Sequence, residues 1–550
     1  MKIIIVGGVA GGASVATRLR RLDESAEIIL VERGENISYA TCGLPYYIGG
    51  VIEKRDSLLV QTPAAISKRF KLDLRTLQEV QKVIPHQKEI EIKELSTGKI
   101  YRESYDYLLL SPGASPLVPP LPGVELGGVF TLRSIQDSEE IKAWLKVNKA
   151  ERAVVVGGGF VGLEVAENFK QLGLKVALLE AADQVLAPLD KEMASFLHKQ
   201  LRDKGVTLFL NEPVVAFEGA EKLEAVVLKS GKKIETDIVV LAIGVKPETK
   251  LAVEAGLGIG PTGGILVDEC FRTSVSGIYA IGDAIEVVNY VSGRNVRIPL
   301  AGPAQKQARI AADKIMGRKV KSYRGTLGTA IVKVFDLVAA TTGLNEKTLK
   351  ELGIPYFSSY THPESHAGYY PNAGKMCIKL LFAPKDGKIL GAQIVGAKGV
   401  DKRIDVLATC ICGDLTVYDL ADLELSYAPP FSSAKDPVVM AGYVACNILQ
   451  GDVEIVHWHE LEELKGEGVL IVDIREPREV EKGSIPGSIK IPLNDLRSRR
   501  KELPKDKTLV LYCKAGLRSY LGYRLLKPYG YQVKSLSGGY LTYKMSQSSE

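Results

Sequence analysis

Two of the seven cysteines, Cys42 and Cys513, stand in sequence contexts that could give them chemistry. Cys42 lies in the run Ser-Tyr-Ala-Thr-Cys-Gly-Leu-Pro-Tyr-Tyr, and the fourth and fifth residues after it are Tyr46 and Tyr47, so no second thiol can pair with it locally. A thiolate at a helix N-terminus is stabilised by the helix dipole and becomes nucleophilic. The pattern therefore predicts a single redox thiol that works with a bound redox cofactor or with a thiol of the substrate.

Cys513 follows an apolar run and opens a short loop that ends at Arg518, directly before a predicted helix. The backbone N–H groups of such a loop can converge on an anionic sulfur, and the helix N-terminus adds to the favourable field. Cysteine phosphatases place five residues between the cysteine and the arginine, whereas only Lys-Ala-Gly-Leu intervenes here. The spacing predicts a cradle that is tighter than one built for phosphate.

This loop resembles that of the single-domain rhodaneses, which carry sulfane sulfur as a cysteine persulfide. Two further segments match that family, residues 473–476 and residues 485–488, although Ser484 stands where many rhodaneses have a histidine. The resemblance implies a C-terminal α/β rhodanese domain in which Cys513 and Arg518 are catalytic residues.

The elements that must position a cofactor beside Cys42 are two copies of one pattern. Each copy has an apolar strand, a glycine-rich turn, a helix and a second strand that ends on an acidic residue, Glu32 in the first copy and Glu180 in the second. This is the βαβ unit that binds dinucleotides, with the pyrophosphate at the helix N-terminus. The turn at residues 157–162 matches G-x-G-x-x-G fully, whereas the first turn has Val9 at the second glycine position.

Glu180 also indicates which nicotinamide nucleotide the second unit prefers. Its carboxylate can accept hydrogen bonds from the ribose 2′-hydroxyl and would repel a 2′-phosphate. The next residues, Ala181 and Ala182, supply no arginine that could bind that phosphate. The sequence therefore favours NADH over NADPH.

Further motifs join the two units into one family pattern. Residues 111–113 read Ser-Pro-Gly after a buried-strand run, and Gly282-Asp283 follows the second unit. Over roughly residues 1–450 the chain resembles the flavoprotein reductases of the pyridine nucleotide-disulfide oxidoreductase family. The resemblance implies that the first unit holds FAD, with Asp283 on the ribityl chain, and that the second unit holds NADH.

The residues that this resemblance assigns to the two cofactors cluster at the same motifs. Those implied for FAD are Gly7, Val9, Ala10, Gly11, Gly12, Glu32, Arg33, Thr41, Cys42, Ser111, Pro112, Gly113, Gly282, Asp283, Pro299, Leu300 and Ala301. Those implied for NADH are Gly157, Gly159, Phe160, Val161, Gly162, Glu164, Glu180 and Gly244.

The sequence around Cys42 narrows the range of reactions that this cysteine could carry out. Its S-x-x-x-C-G-L-P-Y run is similar to that of the single-cysteine coenzyme A-disulfide reductases. NADH oxidases and peroxidases share the single cysteine, held there as a sulfenic acid, but they carry a histidine where this chain has Ala10. Peroxide reduction therefore ranks below reduction of a sulfur–sulfur bond.

A substrate that ends in coenzyme A needs cationic and polar contacts for its phosphates. Arg18, Arg20 and Arg21 follow the first glycine turn on a predicted helix, where they form either such contacts or a solvated basic face. The coenzyme A contacts that the resemblance implies are Ser14, Arg18, Arg21, Ser38, Lys71 and Lys435.

Residues 325–450 resemble the dimerisation domain of the same family, which completes the active site of the partner subunit. In the coenzyme A-disulfide reductases two tyrosines there are placed to hydrogen-bond the attacked sulfur. Tyr427 matches one of them, and the other is Tyr369 or its neighbour Tyr370, with Tyr369 preferred. The resemblance therefore implies a homodimer with shared active sites, in which Tyr369 and Tyr427 are catalytic residues.

Composition and charge exclude several other classes of protein. Of the 550 residues 46% are hydrophobic and 25% are charged, with a formal net charge of +6, so neither disorder nor a nucleic-acid footprint is expected. No apolar run reaches the roughly 20 residues that a membrane-spanning helix needs, and sparse cysteines argue against a disulfide-stapled secreted protein. His362 and His366 have no third ligand at motif spacing, so no metal is expected. We expect a cytoplasmic protein without membrane or nucleic-acid partners.

Together these features predict an α/β chain with two Rossmann-like dinucleotide-binding domains, an α+β dimerisation domain and a C-terminal α/β rhodanese domain. The expected boundaries are 1–112 with 245–322 for FAD, 113–244 for NADH, 325–450 for dimerisation and 455–550 for the rhodanese domain. We expect NADH to reduce coenzyme A persulfide, polysulfide or coenzyme A disulfide through Cys42, with sulfane sulfur carried on Cys513. An NADH oxidase or peroxidase, and a flavoprotein redox sensor or sulfur carrier, are the alternatives.

Overall fold

The computed structural model describes residues 1–547, and the chain divides into two compact units. Unit one contains Met1–Asp183 and Phe209–Gly328, and unit two contains Gln184–Leu208 and the chain from Thr329 onward. Among the described residues, no helix is both long enough and apolar enough to cross a membrane.

The helices and strands are numbered in chain order. Up to residue 131 they are β1 (Lys2–Val6), α1 (Ala10–Leu22), β2 (Glu27–Glu32), α2 (Leu44–Ile48), α3 (Pro63–Phe70), β3 (Asp73–Thr76), β4 (Gln78–Ile84), β5 (Glu89–Glu94), β6 (Ile100–Ser104), β7 (Tyr107–Leu110), β8 (Ala114–Pro116) and β9 (Val129–Thr131). Up to residue 315 follow α4 (Ile135–Val147), β10 (Arg152–Val156), α5 (Phe160–Gln171), β11 (Lys175–Leu179), α6 (Lys191–Asp203), β12 (Thr207–Phe209), β13 (Val214–Glu218), β14 (Ala225–Leu228), β15 (Lys233–Glu235), β16 (Ile238–Leu241), β17 (Val245–Pro247), α7 (Lys250–Glu254), β18 (Ile278–Ala280), β19 (Val287–Val288), β20 (Asn295–Val296) and α8 (Ala301–Ile315). Up to residue 449 follow β21 (Ala330–Val334), β22 (Leu337–Gly343), α9 (Glu346–Glu351), β23 (Phe357–Thr361), β24 (Met376–Phe382), β25 (Ile389–Gly396), α10 (Val400–Cys412), α11 (Val417–Ala421) and α12 (Pro437–Leu449). The last elements are β26 (Ile455–Val456), α13 (Leu461–Gly466), β27 (Leu470–Asp473), α14 (Pro477–Val480), β28 (Ile489–Lys490), α15 (Leu493–Arg499), β29 (Leu509–Tyr512), α16 (Leu517–Leu526), β30 (Val533–Leu536) and α17 (Gly539–Gln547).

Two parallel sheets carry the two glycine turns of unit one. The first has the strand order β18-β7-β1-β2-β3, and in the second β10 pairs with β11 and β16, and β16 pairs with β9. After their first residues, Lys2 and Arg152, the central strands β1 and β10 are apolar, as expected of strands covered on both faces, and Ile3, Ile4 and Ile5 have no exposed surface. In each sheet a glycine turn leads from the end of a central strand into a helix, α1 or α5.

Unit two contains an antiparallel sheet followed along the chain by a parallel sheet. The antiparallel sheet has the order β21-β22-β25-β24-β23 and packs against α10 and α12. The parallel sheet has the order β26-β30-β29-β27-β28, and Cys513 comes directly after β29. The predicted fold class is confirmed, while the domain boundaries stay a prediction.

A buried lysine joins α6 to the antiparallel sheet within unit two. Lys379 on β24 has no exposed surface, and its ammonium nitrogen lies 2.7 Å from Asp190, 2.5 Å from Glu192 and 3.3 Å from Glu346. The Tyr360 hydroxyl donates to Glu192 as well, at 2.8 Å. Burial alone would lower the pKa of Lys379, but the surrounding carboxylates outweigh burial and raise it well above its usual value. The ammonium group therefore stays charged, and removing it would leave the carboxylates buried without a counter-charge.

Two half-buried histidines lie between the antiparallel sheet and the C-terminal domain. His362, directly after β23, has its Nε2 atom 2.8 Å from Thr542 Oγ1 on α17. His457 Nε2 lies 3.3 Å from Ser358 Oγ on β23. Burial lowers the pKa of both histidines to about 4, so both imidazoles are neutral at neutral pH.

Acidic pH should weaken the contact between the antiparallel sheet and the C-terminal domain. Between the ordinary histidine pKa of 6.5 and the folded value of about 4, the unfolded chain takes up protons that the folded chain does not, so stability falls as the pH drops through this range. Calorimetry should show the unfolding midpoint of the C-terminal domain falling by roughly 5 °C from about pH 7 to about pH 5. In His362→Gln, which keeps a neutral hydrogen-bonding group, the fall should be smaller, and an equal fall in both proteins would contradict the assignment.

Candidate functional site

The first glycine turn forms a backbone cradle at the end of β1. Gly7 has φ +94°, a conformation that favours glycine, and a Cβ at Gly12 would overlap the carbonyl oxygen of Gly7. α1 begins at Ala10 without a side-chain cap, so its first-turn N–H groups remain available to an anion. The Glu32 carboxylate accepts a hydrogen bond from the Gly8 N–H at 2.7 Å. These features fit the pyrophosphate and adenosine of a dinucleotide such as FAD.

Arg133 lies at this site as well, although the sequence patterns did not identify it. It follows β9, and its guanidinium forms an ion pair with Asp283, with nitrogen and oxygen 3.0 Å apart. A Cβ at Gly113 would come within 3.1 Å of the same guanidinium. The structure therefore brings residues 111–113, Asp283 and Arg133 together. The feature of the sequence that could have indicated Arg133 is its place directly before Ser134, the residue that caps α4.

The second glycine turn repeats this geometry at the end of β10. Gly157 has φ +105°, and a Cβ at Gly162 would overlap the carbonyl oxygen of Gly157. α5 begins at Phe160 without a side-chain cap. The Glu180 carboxylate accepts from the Gly158 N–H at 2.7 Å, which holds it at the turn. This arrangement fits a second dinucleotide, with Glu180 placed for its adenosine ribose.

Cys42 is exposed and lies on a 3₁₀ turn, Thr41–Gly43, that leads directly into α2. α2 packs against α5, and the Tyr46 hydroxyl on α2 donates to Glu164 on α5 at 3.2 Å. Burial raises the pKa of Glu164 to about 7, and burial together with the Glu164 charge raises the pKa of Tyr46. The candidate redox thiol therefore lies directly before a helix that contacts the helix of the second nucleotide turn.

The three arginines of α1 have different partners. Arg18 forms a two-bond ion pair with Asp313 on α8, at 2.9 and 3.1 Å. Arg20 is buried, and its guanidinium donates to the carbonyl oxygen of Lys71 at 2.8 Å. Arg21 is exposed. Arg20 therefore supports the end of α3, and a phosphate would have to compete with Asp313 for Arg18.

The other expected coenzyme A contacts lie in both units. Ser14 on α1, Ser38 and Lys71 belong to unit one, whereas Lys435 belongs to unit two and is exposed. The Ser14 hydroxyl donates to the Ala10 carbonyl oxygen at 2.7 Å. Arg18, Arg21 and Ser14 thus share one helix, and the coenzyme A assignment of all these residues stays a prediction.

The structure pairs Tyr427 with Tyr369. Their hydroxyl oxygens lie 3.1 Å apart, and the hydrogen bond between them raises the pKa of Tyr369. The alternative residue, Tyr370, packs edge-on against His366 instead. The two phenols are exposed in the single chain, so they form a hydroxyl pair open to a ligand.

Cys513 lies in a loop whose backbone closes around its sulfur. The Gly516 N–H donates to Cys513 Sγ at 3.1 Å, and the Ser519 hydroxyl on α16 lies 3.8 Å from the same atom. Only 2% of Cys513 is exposed. A Cβ at Gly539, where α17 begins, would come within 2.5 Å of the Cys513 carbonyl oxygen, so α17 packs tightly against the loop.

Arg518 is held beside this loop by Glu479, which the sequence patterns did not identify. The guanidinium donates two hydrogen bonds to the Glu479 carboxylate, at 2.6 and 2.8 Å. The Arg518 guanidinium holds the pKa of Glu479 at about 2. The only signal for Glu479 was its place three residues after Glu476, between the two segments, 473–476 and 485–488, that resemble the rhodaneses.

His362 and His366 take part in hydrogen bonds of the protein itself. His362 contacts Thr542, and His366 Nε2 lies 3.1 Å from the Pro371 carbonyl oxygen. Within residues 1–547, no three His, Cys, Asp or Glu side chains are grouped as metal ligands.

Comparisons with known proteins cover the whole chain. Family models match for pyridine nucleotide-disulphide oxidoreductase over residues 1–308, its dimerisation domain over residues 329–438 and a rhodanese-like domain over residues 457–546. Coenzyme A disulfide reductase of Staphylococcus aureus (strain JH9) is 36% identical over 448 residues, which are 81% of this chain and 99% of that protein. The crystal structure of reduced Bacillus anthracis CoADR-RHD has a TM-score of 0.98 at 53% identity, covering 99% of this chain and 98% of that chain. An NAD-dependent persulfide reductase from A. fulgidus has a TM-score of 0.93 at 39% identity, covering 99% and 100%.

Replacing Gly12 or Gly162 by alanine should separate the two nucleotide sites, because either Cβ would overlap a carbonyl oxygen of its turn. We expect Gly12→Ala to be purified with roughly a tenth or less of the normal flavin, measured by visible absorption. Gly162→Ala should keep its flavin, but flavin reduction by NADH in anaerobic stopped flow should slow by roughly 100-fold. Gly466→Ala is the control, since its Cβ meets nothing within 4 Å. Normal reduction of Gly162→Ala would exclude the second site.

Proposed function

The chain belongs to the pyridine nucleotide-disulphide oxidoreductase family and carries a C-terminal rhodanese-like domain, and on this premise we propose that it uses NADH to reduce the sulfur–sulfur bond of coenzyme A persulfide, polysulfide or coenzyme A disulfide. It is an oxidoreductase, and FAD and NADH are its cofactors. The observation that carries the proposal is the presence in one chain of an exposed single cysteine, Cys42, and of a buried cysteine, Cys513, whose sulfur accepts a hydrogen bond from the Gly516 N–H.

Two relatives support the class of substrate. The S. aureus protein is named for the reduction of coenzyme A disulfide and the A. fulgidus protein for NAD-dependent reduction of a persulfide. The second covers both units of this chain, including the rhodanese-like domain. A persulfide accounts for both cysteines, because one would carry sulfane sulfur and the other would reduce it.

In the proposed reaction, the Cys42 thiolate attacks the inner sulfur of coenzyme A persulfide, which is the sulfur atom of coenzyme A itself. A mixed disulfide between Cys42 and coenzyme A forms, and the outer sulfur leaves as hydrosulfide. Held at the first glycine turn, FAD would supply the two-electron path from NADH. Reduction of the mixed disulfide by these two electrons restores the Cys42 thiolate and releases coenzyme A. Overall, NADH, one proton and coenzyme A persulfide give NAD⁺, coenzyme A and hydrogen sulfide.

The dimerisation domain indicates a homodimer, and we propose that the active sites are shared across it. Tyr369 and Tyr427 of the partner subunit would then donate hydrogen bonds to the departing sulfur anion. Donors placed where negative charge develops lower the barrier to such a step. The 3.1 Å contact between the two hydroxyls supports their acting as a pair.

Cys513 is proposed to supply the sulfane sulfur. Its thiolate attacks the outer sulfur of a sulfane donor, the rest of the donor leaves as an anion, and Cys513 becomes a persulfide. The Gly516 N–H and the N-terminus of α16 stabilise the negative charge on sulfur in the loop. Attack by the thiolate of coenzyme A on the outer sulfur then forms coenzyme A persulfide and restores the Cys513 thiolate.

Serine replacements should separate the two steps. In Cys42→Ser, anaerobic NADH consumption with coenzyme A persulfide or coenzyme A disulfide should fall by roughly 100-fold or more, because the nucleophile is lost. Cys513→Ser should keep NADH consumption with coenzyme A disulfide but lose sulfur transfer from thiosulfate to cyanide.

Cys412→Ser, at another exposed cysteine, is the matched control and should keep both activities. Full turnover in Cys42→Ser would disprove the mechanism. A sulfenic acid trapped on Cys42, together with faster NADH consumption on peroxide than on any sulfur substrate, would favour the NADH oxidase or peroxidase alternative.

A further inference from the structure

We propose that Arg403 positions the tyrosine pair by joining the two loops that carry Tyr369 and Tyr427. The inference rests on the proposed function, because it concerns the residues that would act on the departing sulfur. Arg403 stands on α10, and only 2% of its surface is exposed. It is a positioning residue, since it acts through the backbone of the two loops.

The Arg403 guanidinium contacts both loops at once. One terminal nitrogen donates to the Ser365 carbonyl oxygen at 2.8 Å, and it lies 3.2 Å from Ser432 Oγ and 3.0 Å from Asp436 Oδ2. The other terminal nitrogen donates to the Gly399 carbonyl oxygen at 3.3 Å. Both loops are therefore bonded to a single rigid group.

Ser365 stands at the base of the loop that presents Tyr369. The Ser365 N–H donates to the Gly374 carbonyl oxygen at 2.7 Å, and the Gly374 N–H donates to Ser365 Oγ at 3.0 Å. Inside the loop, His366 Nε2 lies 3.1 Å from the Pro371 carbonyl oxygen. These bonds make the loop one closed body, so the position of Tyr369 follows that of Ser365.

Ser432 stands at the base of the loop that presents Tyr427, as Ser365 does in the loop of Tyr369. Its N–H donates to the Ala428 carbonyl oxygen at 3.1 Å, which closes a turn directly after Tyr427. Its carbonyl oxygen accepts from the Ala367 N–H at 3.1 Å, so the two loops are also bonded to each other. Its hydroxyl donates to Asp436 at 2.6 Å. The guanidinium therefore lies at the junction of both loops.

The tyrosines themselves have little packing to hold them. Tyr369 is 77% exposed and Tyr427 is 49% exposed, and a hydrogen bond between them would not survive a shift of about 1 Å in either loop. A buried guanidinium is costly unless it is paired, and Asp436 supplies the opposite charge. Although burial favours the neutral acid, hydrogen bonds and the Arg403 guanidinium hold the pKa of Asp436 below its usual value. A lysine would keep the charge but would lose the planar fork.

The test compares Arg403→Lys with Lys402→Gln in the FAD-loaded, full-length protein. Lys402 is the neighbour of Arg403 on α10, and its ammonium group also lies near Asp436, at 3.8 Å, so it controls for loss of positive charge there. Arg403→Lys should lower kcat with coenzyme A disulfide by roughly 10-fold while flavin reduction by NADH keeps its rate. Lys402→Gln should keep both rates. In the double variant that combines Tyr369→Phe with Arg403→Lys, kcat should fall no further than in the more impaired single variant, because the two residues act as one unit.

A second readout does not need turnover. With 3-fluorotyrosine incorporated at position 369, the ¹⁹F resonance should titrate at lower pH in Arg403→Lys than in the unmodified protein, because the hydrogen bond between the two tyrosines raises the pKa of Tyr369 and would be lost. If the unmodified protein turns over no sulfur substrate, the proposed function fails while this titration still tests Arg403.

Unchanged kcat together with an unchanged titration would overturn the inference. Additive losses in the double variant would also overturn it, since they would show that Arg403 acts on something other than the tyrosines. If Arg403→Lys does not fold, Ser432→Ala removes only the hydroxyl bonds to Asp436 and Arg403. Ser432→Ala should then lower kcat and shift the titration in the same directions, by smaller amounts. If it alters neither, the inference is overturned.

Discussion

The chemistry of this chain depends on helix N-termini whose N–H groups are left without a side-chain cap. α1, α5 and α16 each begin just after a strand of a parallel sheet, and none of the three is capped, whereas α4 and α9 are capped by Ser134 and Asn345. The free first-turn N–H groups attract anions. They suit a pyrophosphate at α1 and α5 and a negatively charged sulfur at α16. Glycines with positive φ, Gly7, Gly157 and Gly516, stand before these helices and let the ligand approach the backbone.

This constraint explains why two cysteines of one chain would take different tasks. Cys42 is exposed beside a helix that packs against α5, where it can meet a large substrate and a redox cofactor. Cys513 is almost fully buried, and the Gly516 N–H donates to its sulfur, which suits the storage of a small sulfur anion. Because the two thiols belong to different units of the chain, we propose that sulfur travels between them on a carrier thiol such as coenzyme A, or by movement of a domain.

Features with a local sequence pattern could be predicted, and features made by distant residues could not. The glycine turns, the fold class, the single cysteine and the loop of Cys513 all follow from spacing within short segments, and the pairing of Tyr427 with Tyr369 agrees with the residue preferred from the sequence. Arg133 was missed because its partner, Asp283, comes from the far side of the second nucleotide unit. Arg18 was expected either to contact a phosphate or to lie on a solvated basic face, because nothing near it in the sequence indicates the Asp313 carboxylate. Lys379 could not be recognised for the same reason. In the sequence it is a polar residue in a strand, and the Glu192 carboxylate that it contacts comes from α6.

The central claim is that Cys42 forms a covalent bond to coenzyme A and that NADH removes it. Peptide mass spectrometry of the anaerobic, FAD-loaded protein tests this claim most directly, after treatment with coenzyme A persulfide and again after addition of NADH. We expect a coenzyme A adduct on the peptide that contains Cys42, its loss after NADH, and an extra sulfur atom only on the peptide that contains Cys513 when a sulfane donor is supplied. A Cys42 peptide that stays unmodified, or that carries only oxygen, would rule out this mechanism.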